Sequence, residues 1–379
     1  MPREDHTVSP NTSSTRIDDA RDAAAALDRG ELAALRTETV YGVFARGDVQ
    51  GAVDRVRALP RRSGDWGTLA WHAPSVDSVL EAHEKAHIEI TPALRRAMRR
   101  VWPGPITLRL HGQGLDDLIK ATGLLPGVAD SKGEDGHALS VRVPDDTWTT
   151  MALQRSGGPV VGASAETIDT GQSAPTPGTC PKGLEKSGFA VVQDEGPTRY
   201  ETHSTVLDIF PDGDWSMRSE GALTAEQVTE RLATLIVFVC TGNTCRSPMA
   251  QAIATSLLSR RGHSHRAIAV SAGVAAMNGA RATPEAVLAS EAVGAHLREH
   301  RSQPATPELL DKADIIFAMT ASHAEAARAM LPASQKSKIR TLDPDGDVDD
   351  PIGGPQTLYD ELARRFVGTI ERRLEELGL

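Results

Sequence analysis

The sequence predicts two domains of different class: an α+β domain, then an α/β domain built on a doubly wound, parallel, four-stranded sheet. Three observations carry this. The chain has 379 residues, comfortable for two cores and large for one. Up to about Asp208, short β-type runs mix with Gly/Pro turns and a few helical stretches, the pattern of α+β structure. Beyond Leu235 the rhythm becomes a regular alternation of apolar runs and helical patterns, as in a parallel sheet buried on both faces.

The elements follow in order. Residues 1–16 (MPREDHTVSPNTSSTR) are polar and lack the apolar core of a signal peptide, so they read as a disordered tail on a cytoplasmic protein. The first domain spans 17–222. Ile17 to Arg29 predicts a helix and Leu32 to Leu35 a strand; Asp169 to Lys186 is turn-rich and reads as a mobile loop. Residues 223–234 predict a linker helix, with Thr224 as its N-cap. The second domain spans 235–379. Its strands are expected at Leu235–Val239, Ala267–Val270, Ala313–Met319 and Ile339–Leu342. Helices are expected at Met249–Arg260, Pro284–Val293, Ser322–Met330 and Thr357–Leu377. Ligands of such sheets bind beyond the carboxyl ends of the strands, and Cys240 directly follows the first.

Composition excludes several classes. No apolar run approaches the roughly 20 residues of a membrane span. Net charge is −10, which argues against a dedicated duplex-binding protein. The cluster Arg95, Arg96, Arg99, Arg100 reads as a solvated helix face. Three cysteines (Cys180, Cys240, Cys245) are too few for a disulfide scaffold.

Residues 240–247 read CTGNTCRS: a thiol, five residues, then arginine and serine, between a buried strand and a helix. Gly242 permits unusual backbone angles, so successive N–H groups of Thr241 to Cys245 can turn inward as an anion cradle. The following helix adds its positive N-terminal end. Arg246 can hold two phosphate oxygens at once, and the same field favours a negative sulfur on Cys240. Ser247 can donate to that sulfur, and Asn243 can brace the loop. A cysteinyl-phosphate step then needs a proton for the leaving group, which an Asp–Pro on a loop can supply. Asp350 in DVDDPIGG (347–354) fits, with Asp343, Asp345, Asp347 and Asp349 as competitors. A calcium loop there is disfavoured, because no bidentate Glu stands at its twelfth position. No metal site is expected.

The segment 236–250 (IVFVCTGNTCRSPMA), Ser271-Ala272-Gly273, Ala318-Met319-Thr320 and Asp349-Asp350-Pro351 resemble the low-molecular-weight protein phosphatases across the whole second domain. The resemblance implies Cys240 as nucleophile, Arg246 as phosphate clamp, Asp350 as general acid, no cofactor, and phosphoproteins as substrates. Thr244 stands where tyrosine-directed members usually carry a branched aliphatic residue. NGARATPEAV (278–287) and DDPIGG (349–354) are also similar to the bacterial protein-arginine phosphatases. Phosphoarginine is thus the first expected substrate class and phosphotyrosine the alternative. Arsenate reduction would need further cysteines after the loop, and none follows Cys245.

In the first domain, RTETVYG (36–42), WPGPITLRL (102–110) and SVRVPDD (140–146) by themselves indicate a polar cleft, lined by threonine and arginine, able to hold an anion. Their order resembles the threonylcarbamoyl-AMP synthase (YrdC/YciO) family over roughly Ile17 to Ala222. The resemblance implies L-threonine, bicarbonate and ATP with Mg²⁺ as substrates, and tRNA or tRNA-modification proteins as partners. It places Thr39, His72, Arg142 and Ser204 near threonine, and Arg62, Ser164, Ser173 and Arg218 near ATP. The chain departs from the family at Pro60 in LPRRS (59–63), where a lysine usually stands unless Arg61 replaces it, and at Glu166 in Ser164-Ala165-Glu166. A carboxylate beside a triphosphate costs repulsion. A nucleotide- or RNA-binding module without catalysis is the alternative.

Overall fold

The computed structural model describes residues 12–61, 69–133, 136–173 and 175–379. The chain divides into two compact units, Met1–Arg231 and Leu232–Leu379.

The first unit is built on a mixed ten-stranded sheet. Its main path runs Trp215–Ser219, Thr205–Ile209, Ile106–Leu110, Gly136–Arg142, Ala70–His72, Val160–Ser164, Tyr41–Arg46, Leu32–Arg36, Phe189–Val192; Asp130–Gly133 pairs with Gly136–Arg142 off that path. The register sets distant residues side by side. Gly42 pairs with Ser164, Ala70 with Gly162, His72 with Arg142, Arg142 with Thr107, and Ile106 with Thr205. These pairings run across six adjacent strands. The helix expected from Ile17 begins at Thr12: once a turn is nucleated, each further residue adds one hydrogen bond.

The helix Ala225–Leu232 opens with a reciprocal cap: Gln227 N–H donates to Thr224 Oγ1 at 3.3 Å, and Thr224 N–H to Gln227 Oε1 at 3.0 Å. The unit boundary falls after Arg231, so this helix belongs to the first unit. Its lead-in is tied there by two hydrogen bonds between Leu223 and Thr205 Oγ1.

In the second unit the elements run β1 (Thr234–Cys240), α1 (Arg246–Arg260), β2 (Ala267–Gly273), α2 (Pro284–Ala292), α3 (Pro307–Lys312), β3 (Ile315–Ala318), α4 (Ala321–Ala329), β4 (Ile339–Thr341) and α5 (Gln356–Glu376). The strands lie in the order β2-β1-β3-β4, and all three pairings are parallel. Alternate residues of β1 feed two cores. Ile236, Phe238 and Cys240 belong with residues of α1, α2 and α5; Val237 and Val239 belong with residues of α3 and α4. Burying a side chain such as Phe238 contributes roughly 1.5–3 kcal/mol. Helix α3 escaped the sequence reading because it is a single short turn pair; it is announced only by Thr306, whose hydroxyl caps Leu309 N–H, and by Pro307 at its first position. The chain leaves β1 for β2 on one side and β3 on the other, so the carboxyl end of β1 is the switch point where such sheets bind ligands. Cys240 occupies it.

Candidate active sites

At that switch point the loop 240–247 turns into α1, whose N-cap residue, Cys245, supplies no side-chain cap. The first-turn N–H groups are therefore left for an anion. The left-handed residue is Asn243, at φ +55°, and not Gly242, which does not adopt positive φ and where a Cβ would meet only Thr244 Oγ1 at 3.7 Å. Asparagine tolerates that conformation better than most residues, and its side chain is held on both sides. Nδ2 donates to Ser247 Oγ and Ser271 Oγ, each at 2.9 Å, and Oδ1 accepts from Gln303 N–H at 2.9 Å. Its carbonyl meets His300 Nε2 at 2.8 Å. Burial is the main cause that holds His300 below its ordinary value.

The sulfur is placed by the same bracing. Cys240 Sγ accepts Asn243 N–H at 3.3 Å and lies 2.9 Å from Ser247 Oγ. Ser247 Oγ accepts from Asn243 Nδ2, so its one hydrogen is shared between the sulfur and Ala272 O, which lies 3.3 Å away. Gly273, beside Cys240 in the register, is required by space: a Cβ there would sit 2.4 Å from Thr241 O and 2.9 Å from Asn243 N. Arg246, 5% exposed, donates Nη1 to Val348 O at 2.9 Å and pairs through Nη2 with Asp350 Oδ2. Asp350 is 40% exposed at its side chain.

The competing carboxylates are occupied elsewhere or face solvent. Asp343 is buried and ion-paired to Arg365 at 2.7 Å; Asp347 accepts Ala321 N–H at 2.8 Å; Asp345 and Asp349 are exposed. Cys245 Sγ lies 3.6 Å from Thr283 Oγ1 and 3.9 Å from Tyr359 OH. Thr244, half-buried, accepts Thr283 N–H on its carbonyl at 3.0 Å.

The first unit holds a cavity of about 250 Å³ lined by, among others, Thr37, Arg61, His72, Arg142, Ser164 and Ser204. Arg142 is buried and donates Nη2 to Thr39 Oγ1 at 2.5 Å and Glu38 Oε1 at 2.9 Å; its buried Nε has no hydrogen-bond partner among the described residues. Glu38, 3% exposed, also accepts Asp145 N–H at 2.9 Å, so both carboxylate oxygens are used. Ser204 Oγ lies 2.9 Å from Thr107 Oγ1. His72 packs edge-on against Phe44 and bonds Ala70 O through Nδ1 at 2.9 Å. Burial, then the charge of Arg142, pushes its pKa down to about 3.

Comparison with known proteins agrees with this division. The family model of low-molecular-weight phosphotyrosine protein phosphatases matches residues 235–378, and the Sua5/YciO/YrdC model, described as telomere recombination, matches 25–221. A protein-arginine-phosphatase of Bacillus subtilis is 41% identical over 33% of this chain and 83% of its own length. A probable low-molecular-weight protein-tyrosine-phosphatase of Ralstonia solanacearum is 33% identical over 38% and 97%. The chain belongs to both families. A threonylcarbamoyl-AMP synthase of Bacillus subtilis is 29% identical over 54% of this chain and 54% of its own length, so the chain spans about half of that relative.

In the phosphatase unit all residues expected at the site lie on the loop or on its acid partner, with the left-handed role moved from Gly242 to Asn243. In the YrdC-type unit His72, Arg142, Ser164 and Ser204 line one cleft, and Thr39, fully buried, is joined to it through its hydrogen bond from Arg142. Ser173 and Arg218 do not line it. Ser173 is exposed on the turn-rich segment, and Arg218 lies on the strand Trp215–Ser219 with Nη1 4.0 Å from Asp208 Oδ2. That strand is at the end of the sheet path, beside Thr205–Ile209. Arg62 lies outside the described residues. Arg61 lines the cavity and bridges to Ile168. Glu166 accepts Gly178 N–H at 2.7 Å and lies 3.8 Å from His203 Nε2, so its carboxylate braces the turn-rich segment.

Sequence reasoning missed Glu38, His203, His300, Gln303 and His323. Glu38 was inside the quoted RTETVYG run, and its burial between threonines was the signal available; the others carry no local pattern.

Proposed function

We propose that the second unit hydrolyses phosphoarginine in proteins through a cysteinyl-phosphate. The observation that carries this is a buried sulfur receiving a loop N–H, beside an arginine already paired with one carboxylate, Asp350. The Cys240 thiolate attacks phosphorus; the S–P bond forms as the P–N bond breaks, and protonated Asp350 gives its proton to the departing guanidine nitrogen. Water then attacks the phosphoenzyme, Asp350 takes its proton, and inorganic phosphate and the thiolate are released. Bound phosphate would draw Arg246 Nη2 from Asp350, which frees the acid for this work. No cofactor enters either step. Thr244, and Ile352-Gly353-Gly354 in place of aromatic residues directly after Pro351, favour phosphoarginine, as does the arginine phosphatase among the relatives. The tyrosine phosphatases among them make phosphotyrosine the reading to beat.

For the first unit we propose threonylcarbamoyl-adenylate formation from L-threonine, bicarbonate and ATP. A carboxylate would satisfy the buried Arg142 Nε, which fits threonine's own carboxylate, and the presence of Arg61 and Ser164 in the same lining supports a role toward phosphate oxygens. The test is the full chain assayed with phosphoarginine and phosphotyrosine peptides of one flanking sequence, and separately for threonine-dependent pyrophosphate release. A kcat/KM higher on phosphotyrosine would overturn the first proposal, and ATP cleavage indifferent to threonine the second.

A further inference from the structure

Thr241, the exposed residue after the nucleophile, has its side chain held from outside the phosphate loop. His323 of α4 places Nε2 2.8 Å from Thr241 Oγ1 and Nδ1 2.8 Å from Thr320 Oγ1. The imidazole is 6% exposed. Thr320 also accepts His323 N–H as the cap of α4 and lies 2.8 Å from Ser322 Oγ. The next backbone group of α4, Ala321 N–H, donates to Asp347 of the acid loop at 2.8 Å. One helix terminus thus holds the residue beside the nucleophile and the loop that carries the acid.

The tautomer follows from the field. Nε2 meets the phosphate loop at Thr241, the charge of Arg246 bears on the ring more strongly than those of Asp350 and Asp347, and a lone pair is favoured there over an N–H. The proton then sits on Nδ1 and is donated to Thr320, while Nε2 accepts the Thr241 hydroxyl hydrogen. With its hydrogen committed, Thr241 Oγ1 offers only lone pairs to anything entering the site.

We propose that Thr241 is a specificity-determining residue and His323 its positioning residue, together presenting an acceptor-only oxygen at the mouth of the site. Such an oxygen suits a leaving group rich in N–H donors, the guanidinium of phosphoarginine, and gives nothing to the apolar ring of phosphotyrosine. The inference rests on the phosphatase reading above and names the group that reads its substrate. It needs a neutral imidazole. Burial and then Arg246 hold His323 below its ordinary value, against opposing effects of Asp350 and Asp347; Thr241 and Thr320 are its uncharged neighbours. Protonation would make Nε2 a donor, release the Thr241 hydrogen and erase the preference.

The test uses the full chain and two peptides that differ only in phosphoarginine or phosphotyrosine. Thr241→Val should lower kcat/KM on phosphoarginine about tenfold more than on phosphotyrosine, the effect of one hydrogen bond to a charged group, chiefly through KM. Thr241→Ser should restore the ratio. His323→Asn should shift the ratio in the same direction and abolish its fall toward acid pH, and ¹⁵N imidazole spectra should show the proton on Nδ1. Equal losses on both peptides in Thr241→Val, or a ratio independent of pH in the wild type, would overturn the proposal and leave the pair as loop support. Wild-type chain inactive on both peptides would instead overturn the phosphatase reading beneath it.

Discussion

The two units bind anions by opposite constructions. In the second, an eight-residue segment does most of the work: Cys240 to Ser247 carries the sulfur, the inward N–H groups and the arginine, and α1 adds its terminus. In the first, the cleft is assembled from strands and the segments between them, so that His72, Arg142, Ser164 and Ser204 come from four distant stretches of the chain. The electrostatics differ in the same sense. Arg246 pairs with a carboxylate that is 40% exposed and can turn away, whereas Arg142 pairs with Glu38, whose side chain is 2% exposed. A local loop can change partners cheaply. A cleft wired through the core cannot, so its binding residues are also stability residues.

This contrast can be broken by substitution. The largest effect belongs to the nucleophile: Cys240→Ser should leave less than about 1% of phosphatase turnover while phosphate still binds, because the cradle is backbone plus Arg246. Residual turnover above that level would remove Cys240 from the role. Asp350→Asn should slow turnover about 10²–10⁴-fold on substrates whose leaving group needs a proton, and much less on p-nitrophenyl phosphate. Equal losses on both would make Asp350 structural.

The cleft should respond in stability. Arg142→Ala strands a buried Glu38 carboxylate and should cost about 3–5 kcal/mol, read as a lowered denaturant midpoint for the first unit. Arg246→Ala should abolish phosphatase activity at a small cost in stability. If the two arginines cost the same in stability, the contrast drawn above is wrong. Smaller again, Thr244→Ile should move the ratio of kcat/KM from phosphoarginine toward phosphotyrosine by about tenfold; an unchanged ratio would show that the Thr244 hydroxyl plays no part in substrate choice.

A last effect is a pH slope. His72 has a folded-state pKa of about 3 against an ordinary 6.5, so between those values the unfolded chain binds the extra proton. Its contribution to stability is full above about pH 6.5 and is lost as pH falls toward about 3. His72→Asn should flatten that part of the pH dependence of unfolding, and an unchanged slope would mean that His72 titrates normally.

What the sequence revealed divides along the same line. The phosphate loop was legible because its chemistry is contiguous and its flanking strand and helix announce themselves by apolar pattern. Asp350 was one of five aspartates, and only the fold separates it from Asp343, which Arg365 occupies. The bracing of Asn243 by Ser271, His300 and Gln303 spans 28, 57 and 60 residues and has no local signature. The left-handed turn was expected at Gly242 because glycine takes such angles freely, yet Asn243 takes it because three hydrogen-bonded partners hold its side chain in place. In the first unit Ser173, on the turn-rich segment, and Arg218, on the strand Trp215–Ser219, stand outside the cleft lining, a placement that motif order does not specify.

The most direct test of the whole account is to mix the full chain with a phosphoarginine peptide, quench within one turnover, and map phosphate by mass spectrometry. Phosphate is expected on Cys240, approaching one per chain before steady state, and none in Cys240→Ser. Turnover with no phosphoenzyme, or phosphate on another residue, would contradict it.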